Sequence, residues 1–290
     1  MILKKKIGNK VFDCINYTIV FLIMLVTVYP FWHVLVASLL PYDIAIQSNF
    51  YIWPKEVTFS AYTYIFSAER FVSSLGVSLI TTVARTLYQL AMTVCAAYAF
   101  TRKDLPGKKV LMMIFVLTMF FNGGIIANYI WRKQLHLLNN LLVMIIPFGV
   151  SCYNMIIIKN FFESLPSELE EAAKIDGASN LKVFFKVAIP LSVPVISTFT
   201  LFFAVDSWNE WYSALIYMTD KSKWPFTMLL RDILIESNTE VSTNHVSSDY
   251  LLGDSIKMAS IVVSVVPIMI IYPFVQKYFA KGMMVGAVKG

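Results

Sequence analysis

The chain has 290 residues, 58% hydrophobic and 14% charged, with a formal net charge of +6 and a mean hydropathy of +0.66. A soluble domain carries about 25% charged and about 45–50% apolar residues, so too little polar surface is present to cover a water-facing body of this length. The basic residues sit in short runs between apolar stretches, which makes the charge a membrane-topology signal and leaves lipid, not nucleic acid, as the expected surroundings.

A spanning helix needs about 20 mostly apolar residues, and six stretches qualify: 12–38, 72–100, 109–128, 139–158, 190–217 and 256–279. The expected fold is therefore an all-α membrane protein with six transmembrane helices. Lys4, Lys5 and Lys6 open the first stretch as they would a secretory signal, but the apolar run continues through Tyr29, Pro30 and Trp32 without a small-residue cleavage site, so a retained span is expected. Arg85 and Gln89 interrupt the second stretch. Lys and Arg are retained on the cytoplasmic side. Segments 1–11, 101–109, 159–189 and 277–290 hold fifteen of them against eight in 39–71, 129–138 and 218–257, which places both termini in the cytoplasm.

The chemistry of a self-sufficient enzyme is missing. No GxxxxGK[ST] loop is present to cradle a nucleotide, no HExxH or Cys/His cluster has metal-ligand spacing, and no GxSxG elbow occurs. Cys14, Cys95 and Cys152 all lie within apolar stretches. No catalytic and no metal-binding residue is expected, and any energy source must belong to another chain.

The most informative segment lies between the fourth and fifth stretches. Residues 163–191 read ESLPSELEEAAKIDGASNLKVFFKVAIPL. Ser167 stands as an N-cap, and Glu168, Glu170 and Glu171 fall in the first turn, where carboxylates meet the positive end of the helix dipole. Gly177 permits a sharp change of direction, and Leu181 to Val187 has helical apolar spacing. Two short helices joined at a glycine are predicted. Ala172, Ala173 and Ala178 would let another surface approach the backbone closely; a helix pair lying on the membrane with Phe184 and Phe185 in lipid fits the pattern equally well.

Glu171-Ala172-Ala173, three residues, Gly177, nine residues, then Val187-Ala188-Ile189-Pro190 resembles the EAA loop of ABC importer permeases. The chain further resembles the maltose-transporter-like permeases for complex oligosaccharides in Asn122-Gly123-Gly124, in Phe161-Phe162-Glu163-x-Leu165-Pro166, in Trp208-Asn209-x-Trp211 and in its last residues from Tyr278 to Gly290. It departs from that pattern at Ala127 and at Asp206-Ser207. The resemblance implies an ABC importer permease fold in a bacterial cytoplasmic (inner) membrane. It divides the chain into an N-terminus 1–11, a first span and outer loop 12–71, a core permease domain 72–279 with a coupling loop at 166–190, and a cytoplasmic tail 280–290. It implies that Glu171, Ala172, Ala173, Asp176 and Gly177 couple the chain to an ATPase. The implied partners are a second homologous permease, two cytoplasmic ATPase subunits that bind ATP and Mg, an extracytoplasmic sugar-binding protein and the oligosaccharide itself. An ABC permease for a non-sugar solute is the nearer rival. An ion-coupled carrier would call for more intramembrane ionisable residues or an inverted repeat.

Charges inside a span are costly and face a cavity or a partner. Asp206 and Glu210 are four apart and share a helical face with Asn209 and Ser213, a stripe expected to meet substrate, protein or simply water near the outer helix end. Arg85 is expected in an ion pair. Trp32, Trp53, Trp131, Trp208, Trp211 and Trp224 fall at or beyond the outer half, as in an interfacial belt. Trp208, Trp211 and Tyr212 also offer rings on which sugar C–H faces stack, and Asn122 beside its two glycines is a further candidate for the path.

Overall fold

The computed structural model describes residues 7–41, 53–54, 56–121, 123–240 and 253–287, with side chains described from 12 to 235 within those ranges and from 255 to 273. Every regular element among them is helical. The chain divides into two compact units, Met1–Ala68 with Asp232–Val266, and Glu69–Arg231 with Pro267–Gly290.

In the first unit, α1 (Ile7–Ala37) presents apolar side chains to its surroundings along almost its whole length, from Phe12 through Phe31. That length and that uncovered apolar surface make it a candidate membrane span. Its end is different: Val36, Ala37 and Leu40 are buried, as are Ala61 and Ile65 of α2 (Ser60–Ser67). Polar groups at this junction are satisfied locally. The Ser38 hydroxyl lies 2.7 Å from the Tyr62 hydroxyl, the Thr58 N–H donates to the Leu39 carbonyl at 2.8 Å, and the Ser255 hydroxyl donates to the Leu40 carbonyl at 2.8 Å.

The second unit is built around α3 (Phe71–Ala99), one unbroken helix straight through Arg85. Its buried face carries Ser74, Ser78, Thr81, Arg85, Thr86, Gln89 and Thr93, while Leu79, Ile80, Val83 and Leu87 are exposed. A water-soluble helix has the opposite arrangement. In lipid the apolar side chains are the cheap ones to expose, and the polar ones are sheltered among neighbouring helices.

The remaining elements depart from simple spans. Between α4 (Lys108–Phe120) and α5 (Gly124–Gln134) the axis bends by 116°, so stretch 109–128 is a broken pair. Gly124 enters α5 at φ +73°, left-handed backbone that favours glycine. Stretch 139–158 begins as two 3-10 turns, Leu141–Met144 and Ile146–Phe148, and continues at 47° into α6 (Cys152–Glu163). After α6 come α7 (Ser167–Ile175), α8 (Asn180–Val183), a π-helical turn Phe184–Ala188 and a single turn α9 (Ile189–Leu191). An 81° bend then leads into α10 (Val193–Trp208), with Pro190 and Pro194 at either side of the break, where a missing N–H costs least. Stretch 190–217 also breaks a second time, at Asn209–Trp211 before α11 (Tyr212–Tyr217). After a 3-10 turn at Lys221–Lys223 follow α12 (Phe226–Glu240) and α13 (Gly253–Ala287). The last helix thus runs through most of 280–290.

Among the described residues three helices are long and apolar enough to cross a membrane, and up to six spans result if each bent pair counts as one. Two cores organise the second unit. One joins Val94, Ala97 and Tyr98 of α3 to Met155, Ile158 and Phe162 of α6, to Phe184 and Ala188, and to Phe199 and Phe203 of α10. The other joins Leu137, Val143 and Met144 to Ala214, Tyr217, Met218, Trp224 and Met228.

Candidate functional site

The stripe predicted on the fifth stretch is reorganised by the helix break. Asp206 lies in the last turn of α10, Asn209 is the residue that ends it, and Glu210 stands in the kink. The helix ends within the stripe, yet Asp206 and Asn209 line one groove and Asp206 and Glu210 meet one cation. Arg85 reaches them from α3: its guanidinium bonds the Asp206 carboxylate, and its Nη1 lies 3.5 Å from Glu210 Oε2. Arg85 is 1% exposed. The guanidinium carbon stands 3.5 Å from the Phe148 ring centre, a cation–π contact on one face of the cation.

Glu210 has a second task. Its Oε1 accepts the Ser213 N–H at 2.8 Å, satisfying one of the donors that the start of α11 would otherwise leave unmade. The expected ion pair of Arg85 is therefore a three-residue charged cluster that joins α3, α10 and the start of α11, with a fourth residue, Phe148 of the 3-10 turn Ile146–Phe148, against its cation. Sequence reading could not assign the partners, because 121 residues separate Arg85 from Asp206.

The Asp206 side chain is 62% exposed and opens on a groove of about 520 Å³ lined by Leu201, Phe202, Val205, Asp206, Asn209, Ile268 and Tyr272. Tyr272 was not among the sequence candidates; it lies beyond 60 residues of intervening chain and only the packing brings it to Asn209. Trp208 points elsewhere. It is 6% exposed, with its ring 6.3 Å from that of Phe226, and lines an adjoining cavity of about 40 Å³ that shares Leu201, Val205 and Ile268 with the groove. Trp211 is half-buried, with the Arg231 guanidinium over its ring at 4.4 Å and Tyr212 edge-on at 5.8 Å. Tyr212 is exposed. Asn122 lies outside the described residues.

The tryptophan belt is correspondingly incomplete. Trp32, Trp53 and Trp131 are exposed, but Trp208 and Trp224 belong to the core. The Trp224 indole N–H donates to the Met218 carbonyl at 3.1 Å, as a buried indole requires.

In the second segment of interest, α7 begins at Ser167 with Pro166 before it. Ser167 is thus a helical residue and not the cap. Proline at a helix start is favourable because its missing N–H would have had no intrahelical partner there and its φ is preset; it supplies no acceptor, and α7 has no side-chain cap. Glu171, Ala172, Asp176 and Gly177 are exposed and Ala173 is half-buried. Gly177 has φ +78°, and a Cβ placed there would meet nothing within 4 Å, so the glycine is required by the backbone and not by crowding. The Ser179 side chain then accepts the Lys182 N–H at 3.4 Å and opens α8. Ile175, 87% exposed, stands with Leu181 and Phe185 as large apolar side chains without cover. Phe184 does not turn to lipid; it is buried, 4.6 Å from the Tyr98 ring.

A residue outside the sequence candidates ties this loop down. Glu170 takes a two-pronged bond from Arg102, Nη1 to Oε2 at 2.8 Å and Nη2 to Oε1 at 2.9 Å, and the same guanidinium lies 4.1 Å over the Tyr98 ring. Burial lowers the Arg102 pKa, but its bonds to Glu170 and the nearby Tyr98 and Asp104 outweigh that and hold it above the usual value. Among the described residues no group of three or more His, Cys, Asp or Glu side chains is arranged to hold a metal ion.

Residues 79–285 match the family described as "Binding-protein-dependent transport system inner membrane component". The chain is 41% identical over 284 residues to "Protein LplC" of Bacillus subtilis, covering 98% of this chain and 96% of that protein. It is 40% identical over 288 residues to the B. subtilis "Polygalacturonan/rhamnogalacturonan transport system permease protein YtcP", covering 97% and 99%. A chain of a bacterial ABC transporter involved in the import of the acidic polysaccharide alginate superposes with a TM-score of 0.82 at 28% identity, covering 95% of this chain and 99% of that one. The bent helix pairs and the exposed helix–glycine–helix loop thus occur within a chain that belongs to the binding-protein-dependent transport system inner membrane component family.

Proposed function

We propose that this chain is one of two permease subunits of an ATP-driven ABC importer for oligosaccharides in a bacterial cytoplasmic membrane, forming half of the translocation path. The observation that carries the reading is the 40% identity, along nearly the whole of both chains, to a polygalacturonan/rhamnogalacturonan permease. In this reading each bent pair is one span, which makes six, and the basic-residue balance puts both termini in the cytoplasm. The partners are a homologous permease, two cytoplasmic ATPase subunits that hold ATP and Mg, and an extracytoplasmic sugar-binding protein that delivers the solute.

The exposed residues Glu171, Ala172, Asp176 and Gly177, with Ala173 beside them, dock in a cleft of the ATPase. Small side chains at 172 and 173 permit close backbone approach, and the uncovered Ile175, Leu181 and Phe185 supply apolar area to bury there. ATP-driven closure of the ATPase pair moves this loop, and the motion reaches the path through the helices packed behind it. On the path, Asp206, Asn209 and Tyr272 offer hydrogen-bonding groups in an otherwise apolar groove, a combination that suits the hydroxyls and C–H faces of a saccharide.

The test is ATP hydrolysis by the purified complex with its binding protein and a panel of neutral and acidic oligosaccharides, comparing the parent with Gly177→Pro and Glu171→Lys. Proline cannot adopt the φ of +78° found at 177, so loss of saccharide-stimulated hydrolysis in both assembled variants is expected. Full stimulation in both, or no copurifying ATPase, overturns the coupling role. Failure of every saccharide to stimulate overturns the solute class.

A further inference from the structure

We infer that Arg102 and Glu170 form the rigid link through which motion of the loop at 166–190 enters the transmembrane core, so that both act as positioning residues for coupling. The inference rests on that loop being the coupling element. Glu170 precedes Glu171 on α7 and lies about 100° round the helix from it: Glu171 is exposed, whereas the Glu170 carboxylate is turned in to Arg102. Arg102 follows α3 by a single turn of chain. The pair therefore connects the loop to the helix that, seventeen residues earlier, carries Arg85 and its bond to Asp206 at the groove.

The geometry is that of a stiff joint. Two parallel N–H···O bonds fix both distance and plane, which a single-point ammonium cannot do. The guanidinium is also clamped on its face by Tyr98 at 4.1 Å. Tyr98 in turn is wedged between Phe162, edge-on at 5.5 Å, and Phe184 at 4.6 Å. Phe162 belongs to α6, just before the loop, and Phe184 to the π-helical turn near the loop's C-terminal end. A displacement of α7 thus pulls on Arg102, and a displacement of Arg102 pushes on the aromatic cluster that holds both loop ends. Glu170 and Arg102 are also only partly exposed, with side-chain accessibilities of 29% and 20%, so water competes weakly for the bond.

The test uses the complete complex with its second permease and ATPase subunits, with assembly checked by copurification. Deuterium uptake over residues 201–209, which line the groove, is compared with and without MgATP and vanadate, a probe that requires no knowledge of the solute. Arg102→Glu and Glu170→Arg alone are expected to reduce the ATP-driven change in uptake about tenfold, the scale of a lost bond between charged groups. Arg102→Glu with Glu170→Arg is expected to recover most of it, and Arg102→Lys, which keeps charge but not the fork, to fall between. A purely structural role would lower assembly without this pattern of rescue. Unchanged response in the single variants, or no recovery in the exchanged pair, overturns the link. Glu171→Lys separates the two levels: if it too leaves the response intact, the loop is not the coupling element; if it abolishes the response while Arg102→Glu does not, only the link fails.

Discussion

Arg85 is held between two carboxylates and a phenyl ring, and its removal leaves Asp206 and Glu210 as neighbouring like charges. Breaking a buried pair from one side costs far more than the net worth of the pair, about 3–5 kcal/mol. Asp206→Asn leaves the Arg85 guanidinium, 2% exposed, with Glu210 alone at 3.5 Å, and is expected to approach that cost, read as the thermal unfolding midpoint of the solubilised complex. Arg85→Met leaves carboxylates of which Asp206 is 62% exposed and hydrated, and is expected to cost less; the reverse ranking would contradict the asymmetric burial. A second residue-scale effect lies at Asp220. Its carboxylate accepts the Ser222 hydroxyl at 2.7 Å and the Ser222 N–H at 3.0 Å, and these bonds hold its pKa below the usual carboxylate value. A depressed folded-state pKa contributes stability above the unfolded value and loses it as pH falls through the folded one. Protection of the 219–224 amides is therefore expected to be constant near neutrality and to decline only in acid, and Asp220→Asn should remove that decline.

Among the elements, α3 shows most directly what lipid does to a helix pattern. Its exposed face bears Leu79, Ile80, Val83 and Leu87, and its buried face bears seven polar residues. Val83→Arg places a charge on the lipid-facing side near the middle of the span, where insertion becomes less favourable by about 2.5–3.5 kcal/mol. Thr86→Val, on the buried side, removes a hydroxyl that has no hydrogen-bond partner among the described residues and is expected to be neutral or slightly stabilising. Membrane-inserted yield and thermal stability of the two variants check this; the reverse ranking would mean that the faces are assigned wrongly. The helix itself was legible from the sequence because a run of apolar residues with one arginine still reads as a span. The breaks in the neighbouring apolar stretches were not legible, because they arise from left-handed Gly124, from prolines compatible with either a kink or a helix start, and from Glu210 capping a new helix. None of these has a signature in hydropathy.

At the scale of the whole molecule, the lipid-facing surface and the sheltered core make opposite predictions for the three thiols. Cys14 and Cys95 are exposed and Cys152 is buried. A maleimide is expected to modify Cys14 and Cys95 in the detergent-solubilised chain at alkaline pH, where water reaches exposed thiols and the reactive thiolate forms, and to leave Cys152 until the protein is unfolded, as mass mapping of the labelled chain would record. Early modification of Cys152 would contradict the packing of α6 against α3.

The sequence by itself determined the solvent, through composition; the helical class, through runs of apolar residues; the family, through the spacing of Glu171-Ala172-Ala173 and Gly177; and the need for Gly177 at a turn. These are local or summed properties, readable without knowing what lies next to what. The tertiary structure decided which groups meet. It set Arg85 on Asp206 and Glu210, Arg102 on Glu170 and Tyr98, Tyr272 beside Asn209 and Trp208 in the interior. The physical reason is that a buried charge takes whichever partner the packing of apolar helices brings within reach, and that packing is a property of shapes across the whole unit, not of spacing along the chain.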